Sequence, residues 1–256
     1  SAAVRIATWN VNSIRARLPR TLEFLAREAP DVVCLQETKV VDELFPREEL
    51  EDAGYSIAFH GQKTYNGVAL LAKGRIEDVT FGLPGTQHSE ARVLAATVGD
   101  TLLLNLYVVN GQEVGSEKYR YKLAWLNDVA RYIAERFPMT EKVVVTGDFN
   151  VTFDDRDVHD PLLWHEKILC STPERQALSG LTGLGLKDAF RKFHEEGGHY
   201  TWWDFRTKGY QRKAGLRIDH LLLTPPAFDA LASCTIDLAA REGAGPSDHA
   251  PVVAEI

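Results

Sequence analysis

The stretch "PRTLEFLAREAPDVVCLQETK" (19–39) decides the class of fold. Proline at position 19 suits the first turn of a helix, where its missing N–H would have no partner in any case. The helical stretch it opens, "PRTLEFLAREA", must end before Pro30, because a proline both lacks the donor and restricts the residue ahead of it. Beyond it, "DVVCLQ" (31–36) is a short apolar, β-branched run and reads as a buried strand. Upstream, "VRIATW" (4–9) alternates like a half-buried strand. Strand, helix and strand therefore follow one another within the first forty residues, the pattern of a sheet covered by helices.

The same pattern continues outward. Strands are expected at 55–60, 67–72, 92–98 and 101–109, and "KVVVTG" (142–147) is another buried one. From Ser116, an N-cap residue, to Phe137, the apolar set Leu123, Leu126, Ala130, Ile133 and Phe137 repeats with helical spacing. A second helix is expected around 174–184, followed by an aromatic stretch "HYTWWDF", the strand "LRIDHLLL" (216–223), and two last strands near 232–238 and 250–256. Helices interspersed with strands and short hairpin-like connections imply mixed sheets. Since no Pro/Gly/Ser linker or composition break divides the chain, residues 1–256 form one α/β domain.

The totals are those of a soluble globular protein: 256 residues, 45% hydrophobic and 25% charged. Three cysteines, Cys34, Cys170 and Cys234, are odd in number and lack CxxC spacing, against both a disulfide framework and a zinc site. A reducing compartment follows, and with no signal peptide or membrane-length apolar run the expected location is cytoplasmic. The net charge of −7 speaks against a nucleic-acid partner at first sight. However, an enzyme that gathers carboxylates around a divalent cation carries charge that the cation offsets, so distribution matters more. Cations concentrate in "EKYRYK" (117–122) and in "RTKGYQRKAGLR" (206–217), which holds five and no acid; taken alone, the second reads as a solvated loop before it reads as a phosphate contact.

Polar residues that follow strands carry the chemistry. "TWNVN" places Asn10 and Asn12 two apart, and "GDFN" places Asp148 and Asn150 in the same relation, so each pair shares a face if the strand continues. Asn and Asp at strand ends also form turns, and one pair alone does not choose. Glu37, closing "LQETK", is a candidate oxygen ligand for magnesium or the partner of Lys39 in an ion pair. In "GPSDHAPV" an acid and a base stand side by side, and on extended chain Asp248 and His249 face opposite ways. Asp248 then needs a cation on its own side, whereas His249 needs another carboxylate to fix its tautomer. Asp219, amid "LRI" and "LLL", is that carboxylate or a core group bonded to backbone.

Together and in order, "TWNVNSIRAR", "PDVVCLQETK", "YNGVALLAK", "NLYVVNGQ", "KVVVTGDFNV", "YTWWDFR", "GLRIDHLLLT" and "PSDHAPV" resemble the exonuclease III family of abasic-site endonucleases, within the wider endonuclease/exonuclease/phosphatase superfamily. The resemblance implies a four-layer α/β sandwich, two mixed sheets packed face to face between helical layers. It implies Mg²⁺, with Mn²⁺ as substitute, held by Glu37 with Asn10, Asn12, Asp148, Asn150 and Asp248 around it. It also implies that Asp148 and Asn150 position and deprotonate the attacking water. His249, oriented by Asp219, then meets a phosphate oxygen that Tyr107 and Asn110 also contact. Several relatives carry aspartate where this chain has Asn12.

The implied substrate is double-stranded DNA with abasic sites or 3′ blocks, acted on by a monomer. Trp202, Leu216 and Ile218 match the apolar pocket for a flipped, base-less sugar, although one of Trp202 and Trp203 also fits plain core. Lys118, Arg120, Arg206, Lys208, Arg212, Lys213 and Arg217 become backbone contacts. The segment 157–176 departs most from the better-known members and resembles a bacterial subgroup in which 3′-end processing dominates. Bulky Trp164, Leu169 or Cys170 there would crowd the pocket mouth. Within the superfamily, inositol-phosphate phosphatases and sphingomyelin-cleaving phosphodiesterases share the Glu, Asp-x-Asn and Ser-Asp-His elements. A regulator that only binds RNA or protein is the alternative of another class.

Overall fold

The computed structural model describes residues 3–256. In chain order the strands are β1 (Arg5–Asn10), β2 (Val32–Gln36), β3 (Ser56–His60), β4 (Val68–Ala72), β5 (Ile76–Phe81), β6 (Val93–Val98) and β7 (Thr101–Tyr107). They continue with β8 (Val143–Asp148), β9 (Lys187–Asp188), β10 (Trp202–Trp203), β11 (Gly215–Leu216), β12 (Asp219–Leu223), β13 (Ser233–Ile236) and β14 (Val252–Glu255). The helices are α1 (Leu18–Glu28), α2 (Arg47–Asp52), α3 (Glu117–Arg136), α4 (Pro161–Trp164), α5 (Thr172–Thr182) and α6 (Pro225–Ala230).

Two six-stranded sheets form, in the orders β13-β14-β1-β2-β4-β3 and β5-β6-β7-β8-β12-β9, with β10-β11 a separate hairpin. Both are mixed. β1 runs parallel to β2 but antiparallel to β14, and β7 runs parallel to β8, which is antiparallel to β12. Strands buried on both faces read as continuous apolar runs, and "VVCLQ" and "VVV" do so. One face of each sheet packs on the other through Ile6, Cys34 and Leu70 against Leu103, Val144 and Leu221. The outer face of the first sheet is covered by α1 through Phe24 and Leu25, that of the second by α3 and α5 through Trp125, Val129 and Leu178. The four-layer sandwich is therefore the observed fold. A polar pin crosses its centre: the buried Gln36 amide donates to Asn105 Oδ1 at 2.8 Å, and Asn105 Nδ2 donates to the Leu35 and Ala69 carbonyls.

Three expectations need correction. β5 lacks a clear apolar signal because it is an edge strand, exposed along most of its length and interrupted where its register shifts between Glu77 and Thr80. The buried stripe of α3 is Tyr119, Lys122, Trp125, Leu126, Val129, Tyr132 and Ile133, so a lysine occupies a core position that the apolar count passes over. "LRIDHLLL" is not one strand: it breaks at Arg217 and Ile218, where the Thr201 hydroxyl accepts the N–H groups of Ile218 and Asp219 at 3.0 and 3.2 Å in place of a ladder partner. Ser116 caps α3 as expected, through Tyr119 N–H. No helix among the described residues is long and apolar enough to cross a membrane.

Candidate active site

The two sheets present strand ends along one edge of the sandwich. Asn10 ends β1 beside Gln36 of β2, so Glu37 leaves β2 next to it. In the second sheet Tyr107, Asp148 and Asp219 lie in one row, Asp148 pairing with each of the others. The chain then turns sharply: Asn12, Glu37, Lys39 and Asn150 all have positive φ, from 47° to 56°. Side chains pay for that conformation, and such residues gather where a site over-determines the backbone.

The carboxylates meet at Asn10. Its buried amide donates to Glu37 Oε1 at 2.7 Å and to Asp148 Oδ2 at 2.9 Å, while its oxygen accepts the Asn12 N–H. Asn10 therefore bridges two acids through its amide nitrogen. Asp148 Oδ1 accepts the Asn150 N–H at 3.0 Å. His249 Nδ1 lies 2.8 Å from Asp219 Oδ2, and its Nε2 points to Asp148 Oδ2 at 3.6 Å. Asp219 is thus the partner of His249, not merely a core acid. Ligand atoms of Glu37, Asp148 and His249 all lie within 4.8 Å of one another. Asp248 has partners of its own, accepting from Asn12 Nδ2 at 3.3 Å and Trp202 Nε1 at 3.2 Å. Asn110 Nδ2 reaches Asn150 Oδ1 at 3.5 Å, and the Asn150 amide is fixed on the Val108 carbonyl.

Charge balance makes this cluster reactive. Burial pushes Asp148 up to about 7; His249 and Asn10 pull the other way, and the carboxylates of Asp219 and Glu37 add to the rise. Burial alone would lower His249, but Asp219 and Asp148 outweigh it and carry the imidazole up to about 10, so it is protonated at neutral pH. Glu37 is held below the ordinary carboxylate range: burial opposes this, and Asn10, Lys39 and His249 prevail. Tyr107 is pushed well above its usual value by burial and by the charges of Glu37 and Asp148, which keeps its phenol a donor. Three acids face one imidazole and one ammonium, and Asp219 Oδ1 is buried without a partner. The donors are hard oxygens, and the Lys39 ammonium already seeks them, 3.2 Å from Glu37 Oε2 and 2.6 Å from Asn12 Oδ1. A divalent oxygen-seeking cation fits this set.

The sequence profile of the Endonuclease/Exonuclease/phosphatase family matches residues 7–249. The chain belongs to this family. Among its exonuclease III-type members, the exodeoxyribonuclease III of Haemophilus influenzae is 33% identical over 98% of this chain and 99% of that protein. The structure of NExo from Neisseria, a 3′ phosphatase bound to a product DNA hairpin, superposes with a TM-score of 0.96 at 44% identity, covering 99% of both chains. An AP endonuclease from Archaeoglobus fulgidus does so at 0.95 and 38% identity, covering 98% of both.

Outside the cluster, the family-based expectations divide. Lys118 and Arg120 are exposed on the first turn of α3, and Arg206, Lys208, Arg212 and Lys213 are exposed between β10 and β11. Arg217 is not among them. It is 1% exposed, with its guanidinium on Asp157 at 2.7 Å and Asp188 at 2.6 Å, and so is a core cation unable to touch DNA. Trp203 is core while Trp202 is half-buried, which settles that pair. Leu216 and Ile218 are fully buried against Val158, Leu169 and Cys170, with Trp164, Ile168 and Trp202 at the margin, so the residues expected to line an apolar pocket pack on the chain's own side chains. Residues that sequence reasoning passed over hold the site from behind. Trp9 Nε1 donates to the His249 carbonyl at 3.1 Å, Ser247 Oγ to the Asn10 carbonyl at 2.6 Å, and Lys122 Nζ to the Asn110 and Asn150 carbonyls at 3.0 and 2.7 Å. The spacing of Lys122 from Tyr119 and Leu126, three and four residues, was the available signal.

Proposed function

We propose that this chain is a magnesium-dependent DNA repair nuclease of exonuclease III type, hydrolysing phosphodiesters 5′ to abasic sites and at blocked 3′ ends. The convergence of Glu37, Asp148 and His249 within 4.8 Å, with Asp219 behind the imidazole, carries this reading. Asp148, poised near neutrality, takes the proton of the attacking water, and Asn150 fixes its orientation. His249 donates Nε2–H to a non-bridging phosphate oxygen, and the Tyr107 phenol donates beside it. Glu37 would hold a cation, Mg²⁺ or Mn²⁺, with Asp248 and Asn12 nearby, and when bound it would supply positive charge against the charge developing on the reacting phosphate. Lys118, Arg120, Arg206, Lys208, Arg212 and Lys213 contact the phosphate backbone of double-stranded DNA. The protein works as a cytoplasmic monomer.

Within this reading, the packing around Leu216 and Ile218 favours 3′ ends over internal abasic sites. Leu169 is 3% exposed and tied down, its carbonyl accepting from Thr152 and its N–H donating to Glu174. A flipped sugar would have to displace it, whereas a terminal nucleotide need not enter. Three duplexes with Mg²⁺, carrying an internal abasic site, a blocked 3′ end and a plain recessed 3′ end, test both statements. Faster turnover of the two 3′ ends is expected, and Leu169→Gly should raise the abasic share. An unchanged ratio removes the gate, and release of phosphate from inositol phosphates with intact DNA removes the nuclease.

A further inference from the structure

A second group of ligand-type side chains stands away from the catalytic cluster. In "HEEGGH" (194–199), one ligand atom each from His194, Glu196 and His199 lies within 4.8 Å of the others. Three atoms so placed have a common point within roughly 2.8 Å of each, against Zn–N and Zn–O lengths of about 2.0–2.2 Å, so small side-chain rotations close the site. Gly198, at φ 93°, makes the turn that brings His199 back over His194, with ring centroids 5.2 Å apart.

The loop is built rather than loose. Arg191 Nη1 donates to the carbonyls of His194 and Glu196 at 3.1 and 2.8 Å, and Arg156 Nη1 donates to that of Glu195 at 2.8 Å. His194 stacks on Phe190 at 4.3 Å and gives its Nε2–H to the Cys234 carbonyl at 2.9 Å. That hydrogen bond fixes the ring through Nε2 and leaves Nδ1 as the nitrogen open to an ion, the arrangement in which a metal-bound histidine is oriented by a partner on its other nitrogen. His199 Nε2 lies 3.0 Å from Glu196 Oε1. A surface ion pair would account for that contact, but not for the fixed ring of His194 or the carbonyls gathered by two arginines. His194 and His199 also line a cavity of about 840 Å³ shared with Tyr200, Tyr210 and Arg241, which leaves room for an open coordination position.

The geometry points to a second cation site, in which His194, Glu196 and His199 bind a divalent first-row transition ion such as Zn²⁺. Two imidazoles and one carboxylate suit such an ion and not Mg²⁺, which sets this site apart from the oxygen cluster around Glu37. From His199 the chain runs through Tyr200 to Thr201, whose hydroxyl accepts the Asp219 N–H and whose carbonyl accepts the Ala250 N–H at 2.8 Å. A bound ion therefore braces the segment that spans the Asp219–His249 pair.

Equilibrium dialysis of the full chain against Zn²⁺, with zinc counted per chain, tests this. The wild type should retain one more zinc than the double variant His194→Asn/His199→Asn, and Glu37→Gln, impaired in the catalytic cleft, should keep the zinc that the double variant lacks. The double variant should retain Mg²⁺-dependent nuclease activity, which shows it folded. Should it fail to fold, the exposed Glu196→Gln serves instead, with a loss of zinc affinity at least as large as the roughly 10–100-fold that removing an outer partner of a ligand costs. Equal zinc in the wild type and in these variants would overturn the site, as would complete loss of zinc in Glu37→Gln.

Discussion

Two buried charge clusters lie against the second sheet, and they differ in their arithmetic. Around Arg217, the carboxylates of Asp157 and Asp188 meet two guanidiniums, Arg217 and Arg191. Acids and cations match, and although burial opposes it, Arg217 and its neighbours hold Asp188 below the ordinary range. Around Asp148, the carboxylates of Glu37, Asp148 and Asp219 meet the His249 imidazole and, at Glu37 alone, the Lys39 ammonium, three acids to two cations, and Asp148 is pushed up to about 7. A matched cluster is complete without a ligand. An acid-rich one is short of positive charge, and a cation and a phosphate oxygen held by donors complete it. Burial of charge alone thus does not mark a site; a deficit of counter-charge does.

The largest expected effect lies on the deficient side. Asp148→Asn should keep the fold and lower kcat by about 10²–10⁴-fold, the range for a lost general base, measured by single-turnover cleavage. A residual rate near wild type would make Asp148 a bystander. On the matched side the effect should be in stability instead. Arg217→Leu leaves Asp188 buried without its ion-pair partner and Asp157 with Arg191 alone, and should cost about 3–5 kcal/mol in denaturant unfolding, while the folded fraction cleaves DNA at an ordinary rate. Loss of activity without loss of stability would erase the distinction.

pH sharpens the comparison further. The rate needs Asp148 ionised and His249 protonated, so it should fall as pH drops through about 7 and as it rises through about 10. Added Mg²⁺ favours the ionised acid and should move the acid limb down. Asp219→Asn removes the carboxylate that chiefly outweighs burial at His249, and should move the alkaline limb to lower pH. A profile that ignores Mg²⁺ would contradict the assignment. The smallest effect belongs to the surface. Lys213→Ala should reduce the slope of log affinity against log salt by about 1 without changing stability, whereas the buried Arg217 should not contribute to that slope.

How far the sequence reaches follows from the same contrast. β2 and β8 were legible because strands buried on both faces are unbroken apolar runs, and Ser116 was legible as a cap because its chemistry is local. β5 was not, since an edge strand with Glu77 and Asp78 has no buried face to announce it. The site residues Glu37, Asp148 and His249 follow or end strands and stood out by type, but their meeting across 212 positions from Glu37 to His249 came through resemblance, because spacing carries no information on distant pairing. Arg217 misled for a physical reason. It closes a run of cations that are exposed up to Lys213, and only the distant acids Asp157 and Asp188 turn it inward.

The deficit of positive charge around Asp148 is the central claim, and thermal melting with and without saturating Mg²⁺ tests it most directly. A cation that completes the cluster binds the folded state alone, so Mg²⁺ should raise the Tm of the wild type but not that of Glu37→Gln. Equal shifts in the two proteins, or none in the wild type, would contradict it.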